Sequence, residues 1–188
     1  MLFEGKTPFK ALLMMIGAVL VVTAISLAAV FAAQGVAGFG GFGGPHFGFP
    51  SQQQAGSALG TSVTKSAVVS RSGYSESGFY IQKTEGVYYN SSSVVAMVIE
   101  NQMNSSQSAG SLESAVVSGY TAASSPVSTL KYSSVSVAIF NLTTSGRQSY
   151  FISFYTGSFF CFSLIYVYSS AQSLSPTSFA KAMVSSVV

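Results

Sequence analysis

The sequence predicts an α+β domain, a small antiparallel sheet with two packed helices, carried behind an N-terminal transmembrane helix and a Gly/Phe-rich linker. Three observations predict it. Residues 149–155 and 159–168 alternate aromatic and aliphatic side chains on either side of Thr156-Gly157-Ser158, the pattern of a hairpin. Two stretches, 105–120 and 175–187, place apolar residues at three- and four-residue spacing behind a serine. Residues 11–33 form a run of 23 residues without a charge. At ~1.5 Å per residue that run reaches roughly 34 Å, enough to cross a bilayer core of about 30 Å.

Lys6 and Lys10 precede the apolar run, and no Lys or Arg follows it until Lys65. By the positive-inside rule residues 1–10 stay in the cytoplasm, 11–33 span the membrane as a signal anchor, and everything after is outside. A cleaved signal peptide is the alternative. Its apolar core is usually about 7–15 residues, shorter than this run, although Val30/Ala32 or Gly35/Ala37 would serve as small residues at a cleavage site. Ala24, Ala28 and Ala32 form a ladder of small residues suited to packing against another transmembrane helix.

Residues 34–58 read as the linker. Seven glycines from Gly35 to Gly48, with Pro45 and Pro50, end any continuation of the helix. Phe39, Phe42, Phe47 and Phe49 are candidates for anchoring at the membrane interface or docking a partner, because aromatic rings favour the headgroup boundary. The run Gly38 to Gly44 is no phosphate loop, since it lacks the Gly-Lys-Ser/Thr ending. His46 is the only histidine and has no neighbouring ligand residue, so no metal is expected there.

Residues 59–188 form the expected domain. Residues 79–82 and 87–89 flank Thr84-Glu85-Gly86 as a first hairpin. Residues 94–103 fit either a strand or a helical face, and their β-branched content favours a strand. A helix over 105–120 follows, with Asn104 or Ser105 as its cap and Gly119 as its C-terminal glycine. Pro126 interrupts, 135–140 alternates as a strand, and 141–147 is a turn. In the last hairpin Phe160, Phe162, Leu164, Tyr166 and Tyr168 share one face, while Phe159, Cys161, Ile165 and Val167 share the other. A strand apolar on both faces is expected to be central and covered on both sides. The closing helix has Ser175 as cap and Pro176 at its first position, and should lie across that hairpin. This closing strand–turn–strand and capped helix resembles small membrane-tethered domains of the PsbP-like type. The resemblance carries no motif, and no function is transferred by it.

Only 7% of the residues are charged, against about 25% in ordinary soluble proteins, and there is no Asp. Solubility must rest on Ser and Thr, a quarter of the chain. That composition suits an extracytoplasmic surface, and with a single anchor it resembles envelope proteins of thermophilic archaea. The basic residues are scattered, which argues against nucleic-acid binding. Cys161 is the lone cysteine, set among aromatics, so it reads as a buried hydrophobe rather than a reactive thiol. Glu76, Glu85, Glu100 and Glu113 are expected at turns and element edges, with nothing in the sequence to pair them. No Ser-His-Asp set can form without Asp.

No catalytic residue, metal or cofactor is therefore expected. Three sequons, at Asn90, Asn104 and Asn141, are candidate glycosylation sites on an exposed surface. The expected function is a non-enzymatic, single-pass envelope protein whose domain contacts membrane lipid and other envelope subunits, including copies of itself. The alternatives are a subunit of an extracellular filament or sheath assembled after signal cleavage, and an accessory subunit of a membrane-bound complex such as a respiratory one.

Overall fold

The structure, a computed structural model, describes residues 46–122, 127–142, 148–168 and 174–188. Residues 11–33, Phe39, Phe42 and most of the expected turn at 141–147 lie outside the described residues. Among the described residues the chain forms helix α1 (Gln52–Leu59), strands β1 (Thr64–Glu76), β2 (Phe79–Asn90) and β3 (Val94–Met103), helix α2 (Ser106–Ala122), strands β4 (Val127–Tyr132), β5 (Val135–Asn141), β6 (Ser149–Thr156) and β7 (Phe159–Val167), and helix α3 (Pro176–Val187). The strands make one antiparallel sheet in the order β1-β2-β3-β7-β6-β5-β4, and the fold is α+β as expected. Among these residues no helix is long and apolar enough to cross a membrane.

β3 and β7 lie at the centre, and each buries both of its faces. One face of the sheet carries Val94, Ala96, Val98, Phe159, Cys161, Ile165 and Val167, covered by Leu59 of α1 and by Phe179, Met183 and Val187 of α3. The other carries Met97, Ile99, Phe140, Phe151, Phe160, Phe162 and Leu164 beneath α2. There Tyr120 stacks on Phe151 at 4.2 Å between ring centroids. Side chains alternate across a strand, so period-two apolar runs fill two separate cores at once. The split of Phe160 and its partners from Phe159 and its partners is the one the sequence predicts. Residues 94–103 are a strand, and Ser105 caps α2 through its hydroxyl, which accepts the Ser108 amide at 3.1 Å.

Four expectations need correction. The first hairpin does not turn at Thr84-Glu85-Gly86: these residues lie mid-strand in β2, and the chain reverses earlier, between β1 and β2. Ser77 (φ 49°) and Gly78 (φ 85°) both take the left-handed backbone of a tight turn whose twist matches its strands. Thr84 is held inside the sheet because its hydroxyl donates to Asn101 Oδ1 at 2.6 Å and meets the Tyr74 hydroxyl at 2.6 Å, a satisfied buried network. Second, α2 does not stop at Gly119 but runs to Ala122. Tyr120 draws that last turn down onto Phe140 and Phe151. Third, β1 and β4 are edge strands with no counterpart in the sequence reading. Polar β1 lacks an alternating apolar face, and β4 returns through Ser133 and Ser134, both at positive φ without a glycine. Fourth, part of the expected linker is folded. Ser51 and Gln54 make a reciprocal capping box that starts α1, Ala55, Ala58 and Leu59 bury its inner face, and Gly60 (φ 70°) ends it.

Gly157 turns the central hairpin at φ 51°. A β-branched side chain is strained there, so Gly157→Val is expected to lower stability by roughly 1–2 kcal/mol. An unchanged melting temperature would contradict that turn geometry.

Candidate functional site

The described chain enters the fold along an extended segment, residues 46–50, that belongs to no strand. It lies on the face covered by α1 and α3. The His46 amide donates to Val187 O at 3.3 Å. Phe47 meets Phe159 edge-on at 5.0 Å, and Lys83 of β2 sits 4.9 Å from the same ring. Gly48 passes so close to the end of α3 that a Cβ there would fall 1.7 Å from Ser186 O. Glycine is the only residue that fits this approach. Pro50 O accepts from the buried Tyr89 hydroxyl at 2.5 Å and from Lys65 Nζ at 3.0 Å, and Lys65 also reaches Phe49 O at 3.3 Å. We call residues 46–50 the strap.

Beneath the strap lies Glu100 of β3. It is 1% exposed, in the row of Val94, Ala96 and Val98. Its Oε2 accepts the Gly48 amide at 3.0 Å. Across the sheet it faces Glu85 of β2 on one side and Cys161 of β7 on the other. Glu85 pairs with Lys83 on its own strand, at the surface. Burial raises the Glu100 carboxyl from its ordinary value to about 9. The Gly48 amide and Lys65 oppose that rise, while Glu85 adds to it. At neutral pH Glu100 is therefore a neutral acid. Burial also raises the Cys161 thiol, a buried side chain as expected, and lowers Lys65. The Tyr89 hydroxyl is likewise pushed up by burial, with Glu100 adding to the effect.

This corrects the expectation that Glu100 is a solvated edge charge. The signal was present, since strict alternation from Val94 puts residue 100 on the same face as three apolar neighbours. The structure brings Glu85 and Glu100 together, a pairing the sequence left open. It also places Phe47 and Phe49 inward, packed on the core rather than presented to solvent. Asn90, Asn104 and Asn141 are all exposed, at or beyond strand ends. Among the described residues the large exposed aromatics are Tyr80, Tyr155, Tyr166 and Tyr168, of which Tyr168 is 62% accessible. Among the described residues no group of three or more His, Cys, Asp or Glu is arranged to hold a metal ion.

The Tyr89→Phe variant removes one buried donor to Pro50 while Lys65 still serves that carbonyl. Its expected cost is about 1 kcal/mol, read as a lower denaturation midpoint at unchanged slope.

No protein-family model matches the chain, and no curated protein or solved structure matches it either.

Proposed function

We propose that the protein is a non-enzymatic, single-pass membrane protein of the cell envelope that presents its α+β domain outside the cell as an interaction module. The observation that carries this reading is the uncharged run 11–33, with lysines on its N-terminal side only. The strap gives that reading a mechanical sense, because it is where the chain arriving from residues 34–45 is fastened to the fold. The two sheet faces are filled by the protein's own helices, and the paired carboxyls are engaged, Glu85 with Lys83 and Glu100 with the strap. Exposed tyrosines and a hydroxyl-rich surface suit contact with another envelope subunit, since Tyr is enriched where proteins meet.

The filament reading has less support. Strand addition needs a flat, unguarded edge. β1 carries a register shift between Ala67 and Val69, with Lys65 and Arg71 along it, and β4 carries Lys131. Bulges and edge charges of this kind blunt pairing between sheets.

The intact mass of the protein from its native membrane fraction, before and after glycan removal, tests the proposal. Retention of residues 1–33 is expected, together with mass removable from Asn90, Asn104 or Asn141. A chain beginning near Gln34 or Gly38, released from the membrane, would overturn anchoring and put the filament reading first.

A further inference from the structure

A carboxyl that faces a second carboxyl in register, and receives a single backbone amide as donor, is an unusual thing to bury. Glu100 has that environment, and the donor comes from the strap, 52 residues away in sequence. The strap also covers that face without belonging to a helix or strand. It forms no strand pairing, and its polar attachments include the His46, Gly48, Phe49 and Pro50 backbone contacts already described. We propose that residues 46–50 are a releasable strap with Glu100 as its catch, seated while the carboxyl is uncharged and lifting from the sheet when it ionises.

The physical reason lies in where water can reach. An ionised Glu100 gains a stronger bond from Gly48 but pays the desolvation of a buried charge and the repulsion of Glu85. β2, β3 and β7 cannot part without breaking the sheet, so hydration has to come from above, through the strap. The groups facing Glu100 set the balance. Glu85 and Tyr89 come from β2, Lys65 from β1 and Cys161 from β7, with Lys83 engaged by Glu85 and Phe47. α1 has no titratable side chain, and Lys181, the one in α3, sits over Tyr132. Lys65 supplies the opposing charge and is exposed, and His46 is the titratable side chain of the strap itself.

Because one proton separates the two states, opening should rise tenfold per pH unit between the ordinary carboxyl range and the raised value of about 9. Lifting lengthens the tether by the strap and uncovers Phe159 and Glu100, so the domain's reach and the surface it offers both change with pH. This holds whether or not residues 11–33 are retained, so its failure would leave the membrane reading intact.

The test is amide hydrogen exchange on the full chain in detergent from pH 5 to pH 8, corrected for base-catalysed intrinsic rates. The His46 and Gly48 amides, which the strap bonds to Val187 O and Glu100, are expected to lose protection tenfold per pH unit while the β7 amides hold theirs. In Glu100→Gln, which keeps the shape and an acceptor for Gly48, strap protection should not depend on pH. In Glu85→Gln the strap should be better protected at pH 8 than in the wild type. Strap protection that is flat with pH in the wild type, or lost together with β7, would overturn the proposal. So would a pH slope that survives in Glu100→Gln.

Discussion

Gly48→Val is expected to unseat the strap and to cost roughly 4 kcal/mol at pH 5, summing partial loss of two Phe burials and several hydrogen bonds. The atoms in the way belong to the α3 backbone: Ser186 O at 1.7 Å and its carbonyl carbon at 2.7 Å from the new Cβ. No rotamer change relieves a clash with main chain, so the strap must move. Its departure exposes Phe47 and Phe49 and frees Glu100, Tyr89 and Lys65 from their strap partners. Chemical denaturation gives the number, and Gly119→Ala is the control. Gly119 has nothing within 4 Å of its added Cβ and lies inside α2, so that change should stabilise by about 0.5–1 kcal/mol. A Gly48→Val protein within about 1 kcal/mol of wild type would mean that the strap is not seated as described.

The second large effect is in pH. Glu100 has a folded value of about 9 against an ordinary 4.5, so the folded protein holds a proton that the unfolded chain releases. Its contribution is fully present at acid pH and is lost as pH rises between those values, at up to about 1.4 kcal/mol per unit. Lifting of the strap hydrates the carboxylate and ends the loss, so the stability curve should fall and then flatten. Glu100→Gln should remove most of the slope and be more stable than wild type by as much as roughly 4 kcal/mol at pH 8, with the two alike at pH 4. Glu113 of α2 leaves a further contribution of the same sign, because burial raises it too. Melting curves of both proteins across pH 4 to 9 decide the matter. A wild-type protein that grows more stable from pH 5 to pH 8 would contradict the buried neutral acid. Gly48→Val should also show little slope, since its Glu100 is already hydrated.

Much of the architecture was legible because it is written in short-range patterns. The aromatic alternation of 159–167, the Ser105 and Ser175 caps and Pro176 at the start of α3 each depend on residues within a turn or two. The capping box Ser51-x-x-Gln54 was as local and as readable, yet the surrounding glycine and glutamine make that stretch look like a spacer. β1 was hidden for a different reason. An edge strand needs only one neighbour and can be polar throughout, so it has no hydrophobic period to detect. Thr84-Glu85-Gly86 has turn composition, but Thr84 was committed to Tyr74 and Asn101, partners brought by two other strands.

By itself the sequence determined the α+β class, the two-sided central strand, the Ser175 cap of α3 and the burial of Cys161. All of these follow from side-chain period and local hydrogen bonding. Only the tertiary structure decided that Phe47 and Phe49 turn inward, that Gly48 must be glycine and that Glu100 is a neutral acid facing Glu85. Those properties come from surfaces meeting across long sequence distances. Desolvation depends on what covers a group, and no local pattern records the cover.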